Sequence, residues 1–125
     1  MQSPAVSLAA ANPDVRWALA SEGVLLRSKD GGKSWEPVPL KAGTGRIFAI
    51  APQGLSIWAG GEGGQLLHSE DGGEQWSYVQ PAQGEVALTG AIVRIEFRDA
   101  LNGTLVSDTG EIWTTGNGGL DWQKR

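Results

Sequence analysis

The sequence contains no cysteine. Disulfides, thiolate nucleophiles and cysteine-ligated zinc are therefore excluded. The compartment stays open, because a periplasmic protein can also lack cysteine. There is a single histidine, His68. One such ring gives no basis for a Ser-His-Asp set, which needs an oriented partner in reach. No apolar run is long enough to span a bilayer, so no direct membrane insertion is expected. The start, Met1-Gln2-Ser3-Pro4, lacks the charged and apolar regions of a signal peptide. Basic residues are scattered and the net charge is −4, which leaves no footprint for a nucleic-acid backbone. No window shows the 3.6-residue apolar stripe of an amphipathic helix.

What is abundant is glycine, with 19 copies, and tryptophan, which supplies six of the nine aromatics. That profile suits short strands joined by tight turns. An internal repeat organises it. Ser28-Lys29-Asp30-Gly31-Gly32-Lys33-Ser34-Trp35 recurs as Ser69-Glu70-Asp71-Gly72-Gly73-Glu74-Gln75-Trp76, and again as Thr115-Gly116-Asn117-Gly118-Gly119-Leu120-Asp121-Trp122. The terminal tryptophans are 41 and then 46 residues apart. Upstream, Trp17 aligns with Trp58 and Thr104, and Gly23 with Gly64 and Gly110.

Each unit reads as four short strands. The first unit predicts strands over Val6–Ala10, Arg16–Ala20, Val24–Ser28 and Trp35–Val38, with a turn through Ser21-Glu22-Gly23. The second predicts Arg46–Ala51, Ser56–Gly60, Gln65–Ser69 and Trp76–Val79. The third predicts Ile92–Phe97, Gly103–Ser107, Glu111–Thr115 and Trp122–Lys124. Four strands on a period of about 40–45 residues is the β-propeller blade pattern. The expected fold is all-β, with three four-stranded antiparallel blades over about 4–40, 45–80 and 91–125. The repeated turn has a physical basis. Asp30, Asp71 and Asn117 can accept hydrogen bonds from backbone N–H groups just ahead. The glycine pair supplies positive φ. Ser28, Ser69 or Thr115 bonds across the turn, and Trp35, Trp76 or Trp122 folds its ring back onto the sheet.

These octads resemble the Asp-box, or BNR, repeat. The wider third unit, Ile95-Glu96-Phe97-Arg98-Asp99 through Gly119, is similar to the photosystem II stability/assembly factor-like family. The resemblance implies a β-propeller, and family members include thylakoid assembly factors and bacterial extracytoplasmic proteins. It therefore points to an extracytoplasmic or periplasmic setting. Asn117 replaces the box Asp, and Thr104 replaces the Trp of the other two units. Complete propellers have about 4–8 blades. Three blades leave apolar flanks to be covered. Two copies could close a six-bladed ring around a twofold axis. Alternatively, the blades belong to a longer protein or form an open curved stack.

No catalytic set, metal site or cofactor is expected. One side-chain oxygen per turn at Asp30, Asp71 or Asn117 makes no calcium cage. Gly60-Gly61-Glu62-Gly63-Gly64 lacks the Lys-Ser/Thr of a phosphate loop and reads as a hairpin turn. His68, whose counterparts are Arg27 and Thr114, marks a surface strand position, and Tyr78 reads as a packing residue. Sialidases carry Asp boxes, but they need a nucleophile–acid pair and an arginine triad. Arg16, Arg46, Arg94 and Arg98 do not repeat at one blade position. Binding surfaces of propellers lie where inner strand ends and loops converge. There, Arg46, Arg94, Glu96 and Arg98 are the binding candidates, with Trp58 beside them as either a surface or a core ring. The reading is a non-catalytic module for binding, assembly or sensing, which presents loops to a protein or a small ligand. A carbohydrate-binding or glycoside-hydrolase-type domain is the alternative.

Overall fold

The computed structural model describes residues 6–9, 15–20, 23–38, 40, 45–53 and 55–125. Ala10, Ser21 and Glu22, which the sequence places in the first unit's opening strand and hairpin turn, lie outside them.

Three four-stranded antiparallel sheets follow one another along the chain, each in simple sequential order. Blade 1 holds β1 (Val6–Ala9), β2 (Arg16–Leu19), β3 (Leu25–Ser28) and β4 (Glu36–Pro37). Blade 2 holds β5 (Ile47–Gln53), β6 (Ser56–Gly61), β7 (Leu66–Ser69) and β8 (Ser77–Val79). A small hairpin of β9 (Ala82–Gln83) and β10 (Val86–Ala87) comes next. Blade 3 holds β11 (Ile92–Phe97), β12 (Gly103–Ser107), β13 (Ile112–Thr115) and β14 (Gln123–Lys124). The expected strands are found to within one or two residues at their ends. The β9–β10 hairpin has no counterpart in the sequence reading. It packs beside β14, where the Lys124 amide donates to Gln83 Oε1 at 3.2 Å.

The first strand of blade 3, β11, runs beside β5, while β5 lies against β2 of blade 1, and the fourth strands are the last in each sheet. Both β5 and β11 carry a register shift near the start, between Ile47 and Ala49 and between Ile92 and Arg94. Such a bulge leaves one extra residue unpaired and turns it outward. Phe48 and Val93 are those residues, and both are exposed.

The core consists of two interblade layers. One joins blades 1 and 2 through Trp17, Leu25, Ile47, Ile50, Ile57, Leu67 and Trp76. The other joins blades 2 and 3 through Trp58, Leu66, Ile92, Ile95, Leu105, Trp113 and Trp122. Strand alternation puts one face of blade 2 into each layer. The β2–β3 and β6–β7 hairpins also touch the chain entering the next blade. Gly64, at φ +77, lies so close that a Cβ there would sit 2.5 Å from the Leu88 carbonyl oxygen. Only glycine tolerates both the backbone angle and the approach.

Candidate functional site

The three repeated turns are built alike. Ser28 Oγ donates to Asp30 Oδ1 at 2.8 Å and accepts from the Gly32 amide at 2.8 Å. Ser69 does the same with Asp71 and Gly73. Asp30 Oδ1 and Asp71 Oδ1 accept from the Ser34 and Gln75 amides, both at 2.9 Å. These donors hold both carboxyl groups below the ordinary aspartate pKa, with the hydroxyl and amide of Ser34 leading for Asp30 and the Gln75 amide for Asp71. Asn117 takes over in the third turn. Its Oδ1 accepts from Thr115 Oγ1 at 2.9 Å and from the Asp121 amide at 3.0 Å. An amide oxygen thus replaces the carboxylate without loss of the turn. One side-chain oxygen at each of Asp30, Asp71 and Asn117 is taken up by protein donors, so the turns act as structural locks. Among the described residues, no group of three His, Asp or Glu side chains is placed to hold a metal.

The box tryptophans do more than cover their own sheets. Trp76 is 6% exposed and meets Trp17 of blade 1 edge to face, with ring centres 6.2 Å apart. Trp122 meets Trp58 of blade 2 in the same way at 5.8 Å. The second box glycine of the second and third turns lies flat on that partner ring. A Cβ on Gly73 or Gly119 would come within 2.4 Å of Trp17 or Trp58. Trp58 is 3% exposed, with His68 and Phe97 stacked near it at 4.0 and 5.5 Å. Of the two readings open for Trp58, it is therefore a core ring and offers no face to a ligand.

His68 differs from the surface position expected for it. It is half-buried at the joint between blades 2 and 3, with Nε2 2.8 Å from Ser56 Oγ. Burial lowers its pKa. Its counterpart Arg27 lies over Trp17 and donates to the Gly72 carbonyl and Glu74 carboxylate of the next blade, each at 3.2 Å. Both positions therefore line the joint because the neighbouring blade covers them. Tyr78, read as packing, lies on the fourth strand β8 and is partly exposed.

The charged candidates separate into two places. Arg46 precedes β5 and pairs with Glu62 at 3.6 Å, near the β6–β7 hairpin. Arg94, Glu96 and Arg98 line the other direction along β11. Arg94 Nε donates to Glu96 Oε1 at 2.7 Å. Arg98 follows the strand end, on the side of the molecule that carries the box turns. There the Gly118 amide donates to the Leu101 carbonyl at 2.9 Å. Two hollows flank this strand end. The first, of about 460 Å³, has walls of Ile50, Pro52, Ile95 and Phe97 with Glu96 and Arg98 beside them. The second, of about 540 Å³, is polar and is lined by Glu96, Arg98, Thr104, Thr114, Gln123 and Arg125 among others. Glu96 and Arg98 line both. The structure thus gathers two of the sequence candidates at a shared rim, leaves Arg94 as the partner of Glu96, and sets Arg46 apart. Thr104, Thr114 and Gln123 were missed. The signal for them was present, because Thr104 stands where the other two units have tryptophan.

Comparison with known proteins gives the chain its relatives. Its whole length, residues 1–125, matches the family model described as photosynthesis system II assembly factor YCF48. No curated protein matches. A solved structure titled "YCF48 bound to D1 peptide" superposes with a TM-score of 0.77 at 28% identity, covering 99% of this chain and 42% of that one. YCF48 from Cyanidioschyzon merolae superposes at 0.72 with 27% identity, over 94% of this chain and 35% of that one. The crystal structure of an ancestral GH74 enzyme also superposes at 0.72, over 96% of this chain and 18% of that one. At 20% identity that last likeness concerns the propeller fold alone. The chain spans less than half the length of each of these structures. With the family model matched from end to end and three Asp-box blades in register, the chain belongs to the photosynthesis system II assembly factor YCF48 family.

Proposed function

We propose that this chain is a non-catalytic, protein-binding module that holds a peptide segment of its partner at the end of β11. The observation that carries the reading is the meeting of an apolar and a polar hollow at Glu96 and Arg98. A peptide offers matching chemistry, because an apolar side chain fits the Ile50, Pro52, Ile95 and Phe97 wall while its backbone and polar groups face the charged rim. Support comes from the family, since a YCF48 structure is described as bound to a D1 peptide. Rigid blades suit such a role, because a fixed surface loses little entropy on binding.

The glycan-directed alternative finds less support in the site. Glycoside hydrolysis needs two carboxyl groups flanking the scissile bond. Among the described residues, Glu96 is the one acidic side chain lining either hollow, and it is bound by Arg94.

Calorimetric titration with a D1 peptide tests the proposal. Measurable binding is expected, weakened about tenfold by Arg98→Ala, which corresponds to about 1.4 kcal/mol. Arg46→Ala should leave the affinity unchanged. Absence of binding, or equal losses at Arg46 and Arg98, would refute the placement.

A further inference from the structure

The third box differs from the others in more than its acceptor. Four residues after the acceptor, the first two boxes carry Ser34 and Gln75, whereas the third carries Asp121. The polarity of that contact is reversed. Ser34 Oγ donates to Asp30 Oδ2 at 2.6 Å, but Asn117 Nδ2 donates to Asp121 Oδ2 at 3.0 Å. Asn117 Oδ1 meanwhile accepts from Thr115 Oγ1 and the Asp121 amide. The amide is used at both ends, and the Asp121 carboxylate requires a donor at position 117. A second carboxylate there would face it as a like charge.

Asn117 is also followed by Gly118, which has no Cβ to shield its backbone nitrogen. We infer that Asn117-Gly118 is a site of spontaneous deamidation, held closed by the folded third turn, and that the modification weakens the joint between blades 2 and 3. The Gly118 nitrogen gives up its proton, bonds to Cγ of Asn117 and closes a succinimide ring. The Cγ–Nδ2 bond breaks, and Nδ2 leaves with that proton as ammonia. Water then opens the ring at one carbonyl to give aspartate, or at the other to give isoaspartate.

The folded turn restrains each part of this reaction. The Gly118 amide donates to the Leu101 carbonyl at 2.9 Å, which engages the attacking nitrogen. Asp121 holds the leaving nitrogen, and two donors hold the side-chain oxygen. The other Asn-Gly step, Asn102-Gly103, is held more deeply. Asn102 Nδ2 donates to both Asp99 oxygens, and Gly103 is buried in β12 between Phe97 and Thr115. Opening that step takes β12 out of the sheet, whereas opening Asn117 takes only fraying of an exposed turn. Aspartate at 117 restores the residue type of the other boxes yet sets its charge against Asp121. Isoaspartate adds a backbone methylene as well and shifts the offset between acceptor and ring. Either product reaches the joint, because Trp122 ends this box and meets Trp58.

Incubation at mildly alkaline pH, folded and in guanidinium chloride, followed by peptide mapping with isoaspartate detection, tests the site. Both Asn-Gly steps should convert readily in the unfolded chain. Folding should slow conversion at Asn117 by about tenfold or more and conversion at Asn102 further still. Conversion at Asn117 as fast in the folded chain as in the unfolded one, or at Asn102 first in the folded chain, would overturn the assignment. Asn117→Asp tests the consequence without the isomer, at an exposed position. It should lower the urea midpoint of the unaltered chain but not that of Asp121→Ser, whose hydroxyl can donate as Ser34 does. An equal shift in both backgrounds, or a raised midpoint in the unaltered one, would overturn the weakening of the joint.

Discussion

Replacing Trp76 by alanine removes the ring that joins blades 1 and 2. The indole is 6% exposed, meets Trp17 edge to face, and donates its Nε1–H to the Gly73 carbonyl at 3.0 Å. Truncating a buried tryptophan costs about 3–5 kcal/mol, including the cavity left behind. An aromatic pair accounts for about 0.5–1.5 kcal/mol of that, and the hydrogen bond for about 1 kcal/mol. Domains of this size are stable by only about 5–15 kcal/mol. Trp76→Ala should therefore lower the urea midpoint steeply or leave the chain unfolded. Trp35→Ala is the internal control, because the same motif residue is half-buried and shows no ring partner among the described residues. Its loss should cost about half as much or less, in proportion to the smaller area removed from water. Far-ultraviolet circular dichroism follows both variants without relying on the fluorophore removed. Equal losses at Trp35 and Trp76 would refute the view that the box tryptophan stabilises by joining blades.

Three further outcomes follow from the same geometry. Gly73→Ala should destabilise far more than Gly31→Ala in thermal melts. Both backbones have positive φ, but a Cβ on Gly73 would strike the Trp17 ring at 2.4 Å while one on Gly31 would meet nothing within 4 Å. The Asp30 and Asp71 carboxyl groups have lowered folded-state pKa values, so their stabilisation is present above the unfolded value of about 3.9 and is lost as pH falls through the folded values. Asp30→Asn with Asp71→Asn, copying Asn117, should flatten the fall of the urea midpoint below pH 4; an unchanged slope would place the acid sensitivity elsewhere. Arg27→Met should weaken the joint of blades 1 and 2 and speed amide exchange in β5 and β6 relative to β12, because Arg27 is buried and reaches both the Gly72 carbonyl and Glu74.

The blade pattern was legible because it is local. A box needs a hydroxyl, an oxygen acceptor, two glycines and a ring at set offsets, and each strand is only a few residues long. Repetition in register then made the four-strand units readable without any long-range contact. The partner of each ring was not legible from one unit, because it lies in the preceding blade, 59 residues away for Trp76 and Trp17 and 64 for Trp122 and Trp58. The β9–β10 hairpin escaped for a different reason. Its strands are two residues each, and Ala82-Gln83 and Val86-Ala87 carry no alternation long enough to register.

The candidate site was half legible for a reason that strand register explains. Charged residues on an inner strand are conspicuous, so Glu96 and Arg98 could be singled out from the sequence. Thr104, Thr114 and Gln123 are ordinary strand residues when read singly. They become informative only once the register places them where Trp58, His68 and Ser77 stand in blade 2. Threonine at position 104, where the other two units have tryptophan, leaves a polar wall beside Arg98. The absence of a ring at Thr104 therefore leaves a hollow at the end of β11. Thr104→Trp separates the proposed peptide site from the rest of the fold, since it should fill the polar hollow while leaving the joints at Trp17 and Trp58 untouched. The expected result is weaker D1-peptide binding at an unchanged urea midpoint. Full binding by that variant would confine the peptide to the apolar hollow of Ile50, Pro52, Ile95 and Phe97.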